Sequence, residues 1–275
     1  MVKLASWNLC LGLKNKKDYV VNTLRNENIE ICGLQEIEIE KDFPIANLTA
    51  KGFNFECESN DIKSRVGLYV KTDIVYERKF ELEGRNNSII IIDFGTTDKF
   101  RLINLYRVFN PQNGRTALEN FVVQLNIIHE AINNDKLKKP IIMGDFNLDD
   151  SKKFSHSYAH LNLFNLLIEK FEPHGLDQLV TFPTWERLVG NVVKQSVLDH
   201  VYVNDCTLIN DLGSIKPIVG DHLLITFNVN SSNAPDNKTL LKRNWQNYSK
   251  IKLLEKLSSI DFATDADTVQ SMWNT

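Results

Sequence analysis

An acid and an amide follow the apolar run in Pro140-Ile141-Ile142-Met143-Gly144-Asp145-Phe146-Asn147. A run of this length, bounded by proline and glycine, predicts a short buried strand. If the strand geometry continues past Gly144, Asp145 and Asn147 point to the same side. A carboxylate and a carboxamide there suit holding a water molecule, a metal ion or a phosphate, although an ordinary Asp/Asn turn would give the same pattern.

Polar side chains recur where other apolar strands are predicted to end. These positions are Asn8 after residues 2–8, Glu36 after residues 29–35, Tyr106 at the end of residues 100–106, Asp199 early in residues 195–203, and Asp221 with His222 before residues 223–229. Each alone has an ordinary structural explanation. Because parallel and mixed sheets build sites from loops at one edge, we expect these groups to converge.

The chemistry of this set favours a hard cation. It is rich in carboxylates and poor in sulfur and imidazole, which suits Mg²⁺, with Mn²⁺ as an alternative. It contains no glycine-rich phosphate loop. An acid that orients water and a cationic histidine beside such an ion predict phosphoester hydrolysis.

The elements that must position these groups follow from periodicity. A helix over residues 16–28 between two apolar strands predicts a sheet with a helix packed on it. Further helices are predicted from Thr116 to about Ile132 and over residues 158–171. Strands are predicted over residues 67–70, 74–76, 88–94 and 100–106, the last two as a hairpin, and over residues 195–203 as one strand.

Composition narrows the classes of partner. The net charge of the 275 residues is −3, so a polyanion must be met by a local patch or a metal ion. No apolar run reaches the roughly 18 residues of a membrane span. The chain enters a strand pattern at once, which predicts no signal peptide and no secretion. Four scattered cysteines predict reduced thiols in a cytosolic or nuclear protein.

Five motifs then carry a family resemblance. Trp7-Asn8, Gln35-Glu36, Gly144-Asp145-Phe146-Asn147, Leu198-Asp199-His200 and Gly220-Asp221-His222, in this order over residues 7–222, resemble those of the endonuclease/exonuclease/phosphatase (DNase I-like) superfamily. The resemblance implies an α/β fold, a four-layer α/β/β/α sandwich of two mixed sheets. It also implies a site at one edge of the sheets.

Within the superfamily, the chain looks most like the endonuclease domain of non-LTR retrotransposons. Thr181-Phe182-Pro183-Thr184-Trp185, followed by Ser196-Val197-Leu198-Asp199-His200, is typical of that branch, and Arg243-Asn244-Trp245-Gln246-Asn247-Tyr248-Ser249 resembles its connector to a reverse transcriptase. This implies a catalytic domain over residues 1–230 and a linker with a helical tail over residues 231–275. The partner would be DNA, nicked in the nucleus to prime reverse transcription from a 3′-hydroxyl.

The resemblance also implies a role for each residue. The metal ligands would be Glu36, Asn8 and Asp221. Asp145 would activate the attacking water, Asp199 would hold His222 as a cation, and Tyr106 would donate to the phosphate. Substrate contacts would come from Asn8, Asn147, Thr184 and Ser196. Two positions depart from the expected pattern. Cys10 stands where abasic-site endonucleases carry an acid, and Val197 stands where some retrotransposon enzymes carry arginine.

Two alternatives stay open at the level of sequence. The first is a phosphatase or phosphodiesterase of the same fold acting on an inositol phosphate, a lipid or another small phosphoester, which the net charge of −3 favours mildly. The second is a catalytically inactive scaffold, against which the retained acids and His222 argue.

Overall fold

The computed structural model of the chain describes residues 1–96, 98–110, 114–152 and 158–230. Within these residues the strands, in chain order, are β1 (Val2–Asn8), β2 (Ile31–Glu40), β3 (Phe53–Cys57), β4 (Lys63–Lys71), β5 (Tyr76–Arg78), β6 (Ile89–Phe94), β7 (Phe100–Tyr106), β8 (Lys139–Asp145), β9 (Asp177–Gln178), β10 (Trp185–Val189), β11 (Val192–Ser196), β12 (Asp199–Val203), β13 (Ile209–Ile215) and β14 (Leu224–Val229). The α-helices are α1 (Lys17–Asn26), α2 (Phe80–Glu83), α3 (Ala117–Asn134) and α4 (Tyr158–Phe171). The linker, tail helix and connector predicted after residue 230 lie outside the described residues.

Twelve of these strands form two six-stranded mixed sheets. The first has the order β13-β14-β1-β2-β4-β3 and the second the order β5-β6-β7-β8-β12-β9. The β1–β2 and β7–β8 pairs are parallel, and the other pairs are antiparallel. The predicted hairpin is β6 and β7. Strands β10 and β11 form a separate two-stranded ribbon.

Three apolar clusters hold four layers together. Residues such as Leu4 and Ile141 fill the space between the two sheets. Leu24 of α1 packs on the outer face of the first sheet, and Phe121 of α3 and Phe164 of α4 pack on the outer face of the second. This arrangement confirms the predicted α/β/β/α sandwich of two mixed sheets.

Helix α3 begins where the sequence places it. The Thr116 hydroxyl accepts a hydrogen bond from the Glu119 N–H at 3.2 Å, and the Glu119 carboxylate accepts one from the Thr116 N–H at 2.7 Å. This reciprocal cap satisfies two otherwise unpaired backbone donors at the start of the helix. No helix in the described ranges is long and apolar enough to cross a membrane.

The single strand predicted over residues 195–203 is wrong. Ser196 ends β11 in the ribbon, and Asp199 begins β12 in the second sheet. Between them, the N–H groups of Leu198 and Asp199 both donate to the Thr184 hydroxyl at 3.0 Å. The Val197 N–H donates to Asp149 at 3.1 Å. Because these N–H groups donate to side chains and not to a neighbouring strand, the strand is interrupted and the chain passes from the ribbon into the sheet.

Glu36 does not lie at a strand end, as the sequence predicts, but on a bulge within β2. The pairing of β2 with β4 jumps from Gln35 opposite Val66 to Ile39 opposite Ser64. Residues 36–38 therefore face one residue of β4, and Glu36 takes a positive φ of 53°. A bulge of this kind redirects a side chain away from the regular alternation of the strand.

One other strand is displaced. The strand predicted over residues 74–76 is observed at Tyr76–Arg78. The Ile74 N–H donates to the Lys71 carbonyl at 3.0 Å, which closes a turn before β5 can begin.

Candidate active site

The alternation of side chains along the strands brings polar groups to one edge of the space between the sheets. Leu4 lies in the inter-sheet core, so Asn8, four residues further along β1, points to the same face. Met143 also lies in that core, which gives Asp145 the same direction on β8. The strand register then places Asp199 of β12 directly opposite Asp145. Two buried carboxylates therefore meet at this edge.

Asp145 lies at the centre of the site and is fully buried. Its carboxylate accepts hydrogen bonds from the Asn8 amide at 2.8 Å and from the Asn147 N–H at 2.7 Å. Burial and the neighbouring Asp199 charge raise the pKa of Asp145 to about 7, although His222 and these hydrogen bonds oppose the shift. A carboxyl group with this pKa exchanges protons near neutral pH, as a general base must.

His222 and Asp199 form a buried ion pair. The Nδ1 atom of His222 lies 2.8 Å from Oδ2 of Asp199. Burial alone would lower the pKa of His222, but the charge and hydrogen bond of Asp199, with smaller effects of Asp145 and Asp221, raise it to about 10. The imidazole is therefore a cation at neutral pH.

Glu36 is surrounded by hydrogen-bond donors on the first-sheet side of this edge. The Tyr106 hydroxyl donates to Glu36 Oε1 at 3.0 Å, and the Asn8 amide lies 3.2 Å from the same oxygen. Burial, followed by the charges of Glu36 and Asp145, raises the pKa of Tyr106. The phenol therefore stays a neutral donor. Asn8 links the Glu36 and Asp145 carboxylates through one amide group.

The donor set fits a hard divalent cation. Oδ1 of Asp199 is buried and has no hydrogen-bond partner among the described residues, and burial together with the Asp199 charge raises the pKa of Asp145. Ligand atoms of Asp145, Asp199 and His222 lie within 4.8 Å of one another. Because His222 keeps its proton, the carboxylates are the better ligands, and oxygen ligands suit Mg²⁺. Glu36, only partly buried, is the carboxylate open to such an ion.

Asn147 does not share a strand face with Asp145, contrary to the sequence prediction. Strand β8 ends at Asp145, and Asn147 takes a positive φ of 46°. Its amide nitrogen donates to the Arg107 carbonyl at 2.8 Å, and the Arg107 guanidinium donates to the Asn147 carbonyl at 2.9 Å. Arg107, a buried cation, is not predicted from the sequence; its signal is its place directly after the Tyr106 strand end.

Asp221 lies beside the site but is engaged with the ribbon. Its carboxylate accepts a hydrogen bond from the Trp185 indole at 2.9 Å and is close to the thiol of Cys10. All four cysteines of the chain are free. His222 forms a backbone bridge to Trp185. The position of Asp221 thus suits a structural role, in which it anchors β10 to the polar edge of the sheets. It also suits the predicted role of metal ligand.

Thr184 and Ser196, predicted as substrate contacts, are engaged in hydrogen bonds within the chain. Thr184 is fully buried, and its hydroxyl accepts from the N–H groups that lead into Asp199. A substrate contact at Thr184 is therefore not supported, because the side chain is closed off by the chain it orients. Ser196 is half-buried and bonds the Asp149 carboxylate.

The fold and the polar edge together define a DNase I-like α/β sandwich. The model of the Endonuclease/Exonuclease/phosphatase family matches residues 5–222 of the sequence, and the chain belongs to this family. No relative was found among the curated protein sequences.

Solved structures of similar fold match this chain over most of their own length. The endonuclease domain of TRAS1, a telomere-specific non-LTR retrotransposon, has a TM-score of 0.63 and 17% identity, covering 83% of this chain and 98% of its own. The 3′ phosphatase NExo from Neisseria, bound to a product DNA hairpin, has a TM-score of 0.60 and 16% identity, with coverage of 84% and 100%. The AP endonuclease LMAP from Leishmania major has a TM-score of 0.64 and 14% identity, with coverage of 82% and 86%. At these identities the likeness establishes the fold.

Proposed function

We propose that the chain is a Mg²⁺-dependent phosphodiesterase that nicks one strand of DNA and leaves 3′-hydroxyl and 5′-phosphate ends. The observation that carries the proposal is the buried Asp199–His222 ion pair facing Asp145. It places a cation and a carboxyl group with a pKa of about 7 around one point at the edge of the sheets. The TRAS1 and LMAP neighbours, which are named as endonucleases, support it.

In the proposed reaction Asp145 accepts a proton from the water molecule that attacks phosphorus. The bond from phosphorus to the 3′ oxygen breaks, the 3′ oxygen takes a proton from solvent water to become a hydroxyl group, and the phosphate stays on the 5′ oxygen of the next nucleotide. His222 as a cation and Tyr106 as a neutral donor stabilise the negative charge that develops on the phosphate. A divalent ion held by Glu36 supplies Lewis-acid chemistry when it is bound.

A role in target-primed reverse transcription is the finer part of the proposal. The segment from Thr181 to Trp185 and the TRAS1 neighbour support it. In this proposal residues 1–230 form the catalytic domain, residues 231–275 lead towards a reverse transcriptase region of the same polyprotein, and the reaction takes place in the nucleus. The gene sequence downstream of residue 275 tests it, because this role requires a reverse transcriptase region in the same reading frame.

Supercoiled plasmid tests the activity itself. With Mg²⁺ the chain should convert the plasmid to open circles, and a chelator should prevent this. Asp145→Ala should remove the activity, whereas Asp205→Asn should retain it because Asp205 lies past the far end of β12. Intact plasmid in every arm would contradict the proposal.

A second candidate is a phosphatase or phosphodiesterase acting on a small phosphoester. The net charge of −3 favours it, since DNA-binding surfaces are commonly basic, and NExo is named as a 3′ phosphatase. Phosphate release from inositol phosphates or a 3′-phosphorylated oligonucleotide, or phosphocholine release from sphingomyelin vesicles, with plasmid left intact, would favour this candidate.

A further inference from the structure

The loop between β1 and α1 contains a run of left-handed backbone. Cys10, Leu11 and Gly12 have φ values of 47°, 68° and 97°. Glycine adopts such values freely, but the Cβ atom of leucine clashes with its own backbone there. A strained non-glycine residue persists where its surroundings hold it, and such residues cluster at functional sites.

Leu11 is held by the site itself. Its N–H donates to the Glu36 carboxylate at 3.2 Å, and the Gly12 N–H donates to the Glu36 carbonyl at 2.9 Å. The Lys16 ammonium donates to the Cys10 carbonyl at 2.8 Å. The Leu11 N–H thus holds the Glu36 side chain, and the adjacent Gly12 N–H holds the Glu36 backbone. The position of Leu11 relative to Glu36 is therefore fixed.

The Leu11 side chain contributes little to the core of the fold, because 70% of its surface is exposed. A second exposed apolar side chain, Ile218, lies shortly before His222, and its N–H is fixed by the Tyr19 hydroxyl at 2.8 Å. The two loops approach each other, since a Cβ atom at Gly220 would lie 3.8 Å from the Cβ atom of Cys10. Two apolar side chains thus project from fixed loops beside a charged site.

We infer that Leu11 is a specificity-determining residue that packs against the apolar face of a nucleoside next to the scissile phosphate. This inference rests on the proposed function. A phosphodiester flanked by an apolar surface is what DNA offers, whereas an inositol phosphate offers hydroxyl groups. Because hydrogen bonds to Glu36 already hold the loop, the contact should cost little conformational entropy when substrate binds.

Three variants test the inference by steady-state kinetics on plasmid and on methyl p-nitrophenyl phosphate, a diester without a nucleoside. Leu11→Asn removes the apolar side chain and tolerates positive φ. Leu11→Met restores an apolar side chain. Leu137→Asn is the matched control, because Leu137 is 91% exposed and precedes β8, about 20 Å from Asp145 along that strand.

We expect Leu11→Asn to raise KM for plasmid by about 5- to 20-fold with kcat retained, the effect of losing one apolar contact. Its rate on the small diester should not change, and Leu11→Met and Leu137→Asn should behave as wild type. An unchanged KM for Leu11→Asn, or an equal loss of activity on both substrates, overturns this inference but does not contradict the proposed function.

A wild-type chain that leaves plasmid intact contradicts the proposed function, and the inference falls with it. If that chain hydrolyses sphingomyelin in vesicles and Leu11→Asn impairs this, the apolar partner is a lipid. That outcome also overturns the nucleoside assignment.

Discussion

Among individual residues, His222 owes its charge to one neighbour. A buried imidazole alone would lose its proton, but the Asp199 carboxylate 2.8 Å away more than offsets the cost of burial. Thr184 in turn fixes the backbone of Asp199 through its hydroxyl. The cationic state of His222 therefore depends on side chains from two other segments of the chain.

His222→Ala removes this cation. We expect kcat for plasmid nicking to fall by about 10²- to 10³-fold, because a charge aimed at the transition state is lost, with KM within about threefold of wild type. His174→Ala is the matched control, since His174 bonds His129 away from the catalytic edge. A rise in KM with kcat retained would show that His222 serves binding instead.

Glu58 gives a dependence of stability on pH that is separate from catalysis. Burial raises the pKa of Glu58 from 4.5 to about 7, although the N–H groups of Arg65, Val66 and Ser88 lower it. The protonated form is thus favoured by folding. The stabilisation from protonated Glu58 is complete below about pH 4.5. It is lost as pH rises through 7, and the free energy of unfolding then falls by about 3 kcal/mol.

Urea unfolding of wild type and Glu58→Gln from pH 4 to 8 measures this contribution. The glutamine stays neutral, so the difference in the free energy of unfolding between the two chains should change with pH over this window. A difference that is independent of pH would show that Glu58 titrates normally. Other groups titrate in the same range but cancel in the comparison.

Among the secondary-structure elements, the β10–β11 ribbon is joined to the site by the Trp185–Asp221 hydrogen bond. We expect Trp185→Phe and Asp221→Asn each to lower kcat/KM for nicking by about tenfold and the double variant to be no worse, because they break one contact. Neither should change the Mg²⁺ concentration for half-maximal activity. A raised Mg²⁺ requirement in Asp221→Asn alone would instead identify Asp221 as a metal ligand.

The sequence predicts the central strands and helices because their apolar period is regular. Edge strands were harder to predict. Strand β13 reads Ile-Asn-Asp-Leu-Gly-Ser-Ile, a turn-like composition that becomes a strand only by pairing with β14. Strand β3, at the other edge of the first sheet, was also not predicted, and it pairs with one neighbour, β4.

That Asn8, Asp145, Asp199 and His222 lie close together was predictable, because these residues stand at or beside strand ends, which meet at sheet edges. Their hydrogen-bond partners were not. The bulge that turns Glu36, and the turn that commits the Asn147 amide to Arg107, depend on contacts between distant segments. No local pattern in the sequence encodes such contacts.

For the whole molecule, we expect folding to be separable from metal binding, because the three apolar clusters of the core contain none of the carboxylates at the polar edge. A chelator should leave the chain folded. At a Mg²⁺ concentration ten times Kd, binding should add about 1.4 kcal/mol of stability. This corresponds to a rise in Tm of about 3 °C.

Glu36→Gln should abolish this rise in Tm, whereas Glu38→Gln should retain it. Glu38 lies on the same bulge but pairs with Lys63 at 2.9 Å. Thermal unfolding with and without Mg²⁺ gives the comparison within each variant. Equal Mg²⁺-dependent shifts in both variants would contradict the assignment of Glu36 as the cation ligand.

The chemical groups left at the nick test most directly the claim that the chain cleaves the bond between phosphorus and the 3′ oxygen of DNA. Plasmid nicked by the chain in Mg²⁺ is purified and treated with DNA ligase, which seals only a 3′-hydroxyl next to a 5′-phosphate. Water attack with departure of the 3′ oxygen predicts that the open circles are resealed to covalently closed circles. Open circles that resist ligase until a phosphatase and a kinase have exchanged their end groups would contradict the proposed reaction.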